Sequence, residues 1–448
     1  MEINITNDAD FSLLGLKNED DFYDLVDLLF LNIDNSVDSL LIESVVDKIP
    51  HVLSNNDYLK KLSLISIIKN GKYSSYDLYT SISKILNQLE VLCFKNNRMS
   101  DRKLQLLNFK NNNLRELDLS SNLLTDASLS YLVKLIEKKE LCYLTKLNLE
   151  NNNIESFEGL IPYFCKFEEL YLNNNNHTHR CSYKIKDYQF LKELTNLEIT
   201  LLTSELSSFT SKILHLSPNL NNLNLEVPID KSILKMKNGI NSVFTEYYIP
   251  FYDYIAMKTN KLTRLSITLH SNNDLCRILQ MKLFVSLEQS NVTSLNYELK
   301  LVGCLPDNNV SIVSFIFKVL FGSKSKIKDF RYVSPIKDDY DKTIELILEH
   351  LEKNNLYRLR NLKICNYYFN NRKYNVLLKS QLETKSNLDS LFFENNNVVD
   401  DFNIYMKNEY WVRKSIYYLI SCRRFPLLNR NLSRIPEEIY RLLFKMFF

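Results

Sequence analysis

The chain has 448 residues, 45% of them apolar, so it holds ample material for a large core, and wholesale disorder is excluded. A formal charge of +3 gives no strong global pull toward nucleic acid, and the six glycines are too dispersed for a phosphate-cradling loop or a dinucleotide fingerprint. Eight scattered cysteines without a C-x-x-C pair, an acidic start (MEINITNDAD) lacking a signal-peptide core, and a longest apolar stretch of only about a dozen residues (Val310 to Phe321) predict a reduced, cytoplasmic or nuclear protein that does not span a membrane.

Residues 1–58 read as helices. Phe22, Leu25, Val26 and Leu29 share one apolar face at helical spacing; Leu40, Leu41, Val45, Val46 and Ile49 share another. The stretch is expected to cap whatever follows. It is also acidic: residues 1–40 hold Lys17 as their single base.

From residue 59 to about 400 one pattern returns, L-x-x-L-x-L-x-x-N. Full copies are Leu89/Leu92/Phe94/Asn97, Leu114/Leu117/Leu119/Asn122, Leu144/Leu147/Leu149/Asn152, Phe167/Leu170/Leu172/Asn175 and Leu388/Leu391/Phe393/Asn396. Copies that keep the apolar triplet and lose the Asn begin at Leu59, Leu194, Leu220, Leu262, Val292, Ile327 and Leu359. Starts lie mostly 23–35 residues apart, with one gap of 42. Each L-x-L predicts a short strand that sends two side chains into a core. A single unit cannot bury that face, but parallel neighbours can. The Asn side chain is suited to satisfy backbone groups where the chain leaves the strand. Where it is replaced, as at Ile67, Leu202, Pro228, His270, Lys300, Pro335 and Tyr367, irregular turns are expected. After Leu124, Leu129, Leu132, Val133 and Ile136 fall at helical spacing, which predicts a helix on the side opposite the strands' open face.

This pattern resembles the leucine-rich-repeat family, whose period is roughly 20–29 residues. The spacing is similar to the longer repeats of ribonuclease-inhibitor-like and F-box leucine-rich proteins, although Asn153 to Leu160 looks like the shorter, phosphatase-regulatory type. The resemblance implies an α/β solenoid with parallel strands on a concave face, helical caps at both ends, and a role in binding rather than catalysis, with no cofactor.

Two-residue alternation places the residues flanking the strand leucines on that concave face. There the sequence sets Glu116, Asp118, Glu150, Glu169, Tyr171, Glu198 and Glu226, with Lys146 as the base among them. The expected ligand is a protein partner bearing a basic segment. His177, His179 and Cys181 alternate in a way that would align three metal-ligand side chains, but no second cluster completes a site, and an ordinary polar loop is expected instead. Most of the 27 tyrosines and 25 phenylalanines are expected to replace leucine in the core.

Residues 401–448 read as a basic helical segment. Within it, Ile435-Pro436-Glu437-Glu438-Ile439, followed by Leu442, Leu443 and Phe444, resembles the opening of an F-box. That resemblance implies docking to a ubiquitin-ligase adaptor through Pro436, Ile439, Leu442 and Leu443, with the repeats as the substrate-recognition arm. The same residues also fit a helix that seals the last repeat, since Pro followed by two Glu is a generic helix start. A scaffold or regulatory subunit and an RNA-associated protein are the remaining readings, and the near-neutral charge disfavours RNA.

Overall fold

A computed structural model of the chain describes residues 2–5, 28–33, 59–66, 76–110, 112–176, 191–228, 244–271, 282–301, 326–333, 349, 359–365 and 390–394. The chain divides into two units, Met1–Leu275 and Cys276–Phe448. The division falls inside the stretch 59–400.

Among the described residues, the first unit carries ten strands: β1 (Glu2–Ile5), β2 (Leu28–Ile33), β3 (Lys61–Ile65), β4 (Val91–Cys93), β5 (Glu116–Asp118), β6 (Lys146–Asn148), β7 (Glu169–Leu172), β8 (Asn196–Thr200), β9 (Asn222–Val227) and β10 (Arg264–Ser271). They pair in sequence order, and every pairing is parallel. The second unit repeats the arrangement with β11 (Ser294–Leu301), β12 (Asp329–Val333), β13 (Asn361–Cys365) and β14 (Ser390–Glu394). A parallel sheet strung in sequence order is what stacked strand-and-return repeats must produce, because each return brings the chain back beside the strand it just left.

Register follows the leucines. Leu62, Leu92, Leu117, Leu147, Leu170, Leu197, Leu223 and Leu265 are Cα partners in succession. All are at most 1% exposed, as are their companions Leu64, Phe94, Leu119, Leu149, Leu172, Ile199, Leu225 and Ile267. In the second unit Leu295, Phe330 and Leu362 continue the rule, and Tyr297 and Tyr332 stack at 6.1 Å in the companion position. Aromatic rings thus stand in for leucine, as expected.

Two strands lie where a helical cap is expected. Leu29, assigned above to a helix face, is in β2, and its Cα partner is Leu62. The physical reason is the period of two in the sequence: Leu29 and Leu31 take the register of Leu62 and Leu64, so the segment is another strand unit without the Asn. β1 extends the series, with Ile3 opposite Leu31. The expected C-terminal cap at 401–448 lies outside the described residues.

The returns vary in kind. Between β5 and β6 runs helix α1 (Asp126–Glu137), capped by Thr125, whose Oγ1 accepts the Ala127 N–H. Its buried residues are Ser128, Leu129, Leu132, Leu135 and Ile136. Val133 is only half-buried; it faces the next repeat, where a Cβ on Gly159 would sit 3.9 Å from its methyl. The following return is a 3-10 turn, Ile161–Lys166, so one array mixes long and short repeats.

The repeat Asn does what its spacing implies. Asn122 Nδ2 donates to the carbonyls of Phe94, Leu119 and Ser120, and its Oδ1 accepts the N–H groups of Asn97 and Met99. Asn152 likewise bonds Leu119 O and Leu149 O and accepts Leu124 N–H; Asn175 bonds Leu149 O and Leu172 O and accepts Ile154 N–H. Each Asn therefore secures its own turn and that of the preceding repeat. One residue earlier, Asn96, Ser121, Asn151 and Asn174 adopt left-handed backbone, φ 54–57°. Asn tolerates that conformation better than most side chains, so the turn explains part of the chain's Asn richness.

Loss of the Asn changes the geometry. At Leu202 the buried Glu205 takes over, accepting the Leu202 N–H at 2.9 Å, while Thr203 donates its N–H and hydroxyl to Pro228 O. Where His270 and Lys300 replace Asn, the strand runs through the position: β10 and β11 are eight residues long, against three in β4, β5 and β6.

A candidate protein-binding face on strands β5 to β9

The face opposite the leucines is polar and half-buried. Alternation sends Glu116, Lys146, Glu169, Asn196 and Asn222 to it in one row, and Asp118, Asn148, Tyr171, Glu198 and Asn224 in the next. A third row lies just past the short strands. Ser121 N–H donates to Glu150 O, and Asn151 N–H donates to Asn173 O, which sets Ser120, Glu150 and Asn173 side by side. Glu226 continues that row in β9, opposite Thr200. All seven residues expected on the face (Glu116, Asp118, Glu150, Glu169, Tyr171, Glu198, Glu226) are on it.

They are not equivalent. Lys146 Nζ lies 3.0 Å from Glu169 Oε1, and the Tyr171 hydroxyl donates to Glu169 Oε2 at 2.8 Å. Burial acts to raise the Glu169 carboxyl, but the hydrogen bonds from Lys146 and Tyr171 outweigh it and hold the group below its ordinary value. The bond to Glu169 raises the Lys146 ammonium in turn. Burial, and then the bond to Glu169, push the Tyr171 phenol well up. Glu169, expected to offer a free charge, is therefore neutralised in place. Alternation sets Lys146 and Glu169 side by side in one row, but that they close into an ion pair depends on the reach of two side chains 23 residues apart in sequence.

Glu198 is held by amides instead. Asn173 Nδ2 donates to its Oε2 from β7's side at 3.0 Å, and Asn224 Nδ2 from β9's side at 2.8 Å. Glu150 Oε1 accepts from Asn174 Nδ2 at 3.1 Å. Burial raises the Glu150 carboxyl, and the negative charges of Glu198 and Asp118 raise it further, against relief from Asn174 and Lys95. Among the described residues no cation lies within ion-pair distance of Asp118, Glu150 or Glu198. The net result is a patch of mutually repelling carboxylates, oriented by amides that carry no charge. Asn173, Asn174 and Asn224 are the residues that reading the acids alone passes over; alternation would have placed Asn224 beside Glu198.

At the β4 border, Cys93 is the Cα partner of Asp118. Burial and then the Asp118 charge push its thiol up, the opposite of what a nucleophile needs. Among the described residues no three His, Cys, Asp or Glu side chains are grouped to hold a metal ion, and no helix is long and apolar enough to cross a membrane. His177, His179 and Cys181, and the segment with Pro436, Ile439, Leu442 and Leu443, lie outside the described residues.

No family model matches the sequence, and no curated protein matches it. Among solved structures it is similar to a chain in the crystal structure of a TLR13–ssRNA13 complex, at 16% identity and a TM-score of 0.29, over 71% of this chain and 47% of that one. The chain thus spans about half the length of that protein. A score this low carries no argument about fold or ligand.

Proposed function

We propose that the chain is a non-enzymatic binding protein whose sheet face from β5 to β9 captures a basic segment of a protein partner. One observation carries this reading: Asp118, Glu150 and Glu198 share a half-buried face with no paired cation among the described residues. A partner's lysines or arginines would relieve that repulsion, and the surrounding field would steer their approach. A phosphate backbone would meet the same field with the wrong sign, which disfavours RNA on this face. The test measures association of labelled lysine-rich and acidic peptides and of single-stranded RNA across a salt series. The basic peptide should associate fastest, and the double variant Asp118→Lys, Glu198→Lys should slow it by about ten-fold at low salt. Equal rates for wild type and variant would remove the face from consideration.

A second reading concerns the C-terminal segment. The likeness of Ile435 to Phe444 to an F-box opening favours a role as the substrate-recognition arm of a ubiquitin ligase, with Pro436, Ile439, Leu442 and Leu443 docking the adaptor. Deleting residues 432–448 should then abolish adaptor co-purification and leave the melting temperature unchanged. A lowered melting temperature with aggregation would mark the segment as a cap on the last repeat.

A further inference from the structure

The third row of the face contains polar atoms that the fold leaves unused. Ser120 is fully buried and its Oγ has no hydrogen-bond partner. Asn173 is 4% exposed; its Nδ2 reaches Glu198, and its Oδ1 is buried without a partner. Between these two residues sits Glu150, part-exposed, with one carboxylate oxygen taken by Asn174. Buried polar atoms without a hydrogen-bond partner are rare and costly, so two on either side of one desolvated carboxylate call for an explanation.

We propose that Ser120, Glu150 and Asn173 form a subsite for a primary ammonium group, the side chain of a lysine in the partner's bound segment. This rests on the face being the binding surface argued above, and it names the chemistry that one part of the face selects. A lysine ammonium is a compact charge with three donors and no acceptor. The subsite offers it one carboxylate and two single acceptors from neighbouring rungs. An arginine guanidinium is a planar fork best matched by two parallel acceptors on one carboxylate, and at Glu150 one of those oxygens is already occupied. Glu150, the part-exposed member, is the point of entry. Asp118 and Glu198 supply the surrounding negative charge without being tied to the ligand. Lys95, exposed in the same row two strands away, is close enough to influence Glu150, but it does not reach ion-pair distance.

The experiment uses the full chain and three fluorescein-labelled peptides of alternating glycine with lysine, arginine or Nε-acetyl-lysine, followed by anisotropy at low ionic strength. The lysine peptide should bind about ten-fold more tightly to wild type than to Glu150→Gln, and the acetylated peptide should not distinguish the two. Ser120→Ala should weaken the lysine peptide by about three-fold and leave the arginine peptide unchanged, which is the signature of a lost single acceptor rather than a lost charge. Melting temperatures establish that both variants fold. A lysine peptide that binds wild type and Glu150→Gln equally overturns the subsite. If Glu198→Gln nevertheless weakens both basic peptides, the binding face stands and the subsite alone has failed. If neither basic peptide binds wild type, both have failed.

Discussion

Lys146 and Glu169 face each other on neighbouring strands, Nζ 3.0 Å from Oε1, and the Tyr171 hydroxyl closes on the carboxylate's other oxygen. The pair thus withdraws one base and one acid from the field of the polar face. Lys146 is 37% exposed, so solvent screens most of its attraction. Replacing it with Met keeps the stem and removes the charge. The variant should lose no more than about 1 kcal/mol of stability in urea titrations. It should also associate faster with a lysine-rich peptide at low salt, because Glu169 then joins the unpaired acids. Slower association would mean that the face does not attract cations.

Asn122 is buried and its amide meets five backbone groups from two repeats. Asn122→Ala should cost about 3 kcal/mol, because several buried groups lose their partner together. Asn175 is half-buried, so water replaces part of what Asn175→Ala removes, and the cost there should be about 1 kcal/mol. Chemical denaturation of both variants checks the order. Equal losses would show that exposure of the turn does not set the value of the Asn.

Asp101, four residues after Asn97, ties one repeat to the next. Its carboxylate accepts the Thr125 N–H at 2.9 Å, the Thr125 hydroxyl at 2.8 Å and the Ser128 hydroxyl. Partial burial works to raise this carboxyl, but the bonds from Ser128 and Thr125 prevail and lower it. A carboxyl lowered by folding adds stability above its unfolded value, and that stability is lost as pH falls through the folded one. Wild type should therefore lose stability on acidification more steeply than Asp101→Asn. The two curves should converge in acid and separate above the ordinary carboxylate range. Parallel curves from acid to neutral pH would deny Asp101 this role.

Asn151 is exposed, and its backbone sits at φ 54°. Asn151→Gly should change stability little. Asn151→Val should cost about 1–2 kcal/mol, since a β-branched side chain resists the left-handed region. Thermal melts of the two variants separate this backbone effect from any contact effect. A neutral Val variant would mean that the turn relaxes out of that conformation.

How far the chain can be read without coordinates differs from feature to feature. Leu117, Leu119, Leu147 and Leu149 declare their strands because burial on one side of an extended chain imposes a period of two, and Asn122 and Asn152 mark where the strands end. Leu29 and Leu31 obey the same period, but no Asn follows at the expected position, and neighbouring apolar residues imitate a helix face. On the face opposite the leucines, alternation is enough to gather Glu116, Asp118, Glu150, Glu169, Glu198 and Glu226. It sets Lys146 beside Glu169 and Asn224 beside Glu198, but it does not say which neighbours bond. The bonds from Lys146 to Glu169 and from Asn224 to Glu198 cross 23 and 26 residues of chain. They depend on how far each side chain reaches, and that leaves no local trace.

The borrowed Asn gives the array a direction in time. The amides of Asn97 and Met99 are satisfied by a side chain that lies 25 and 23 residues further on. During synthesis the turn at Asn97 emerges from the ribosome before Asn122 does, and it must wait for it. Each newly made unit finishes the one before it, and the most recent unit is always the incomplete one. A nascent chain arrested with Asn97 emerged and Asn122 still inside the ribosome therefore carries an open final turn, a target for a chaperone that recognises unpaired backbone.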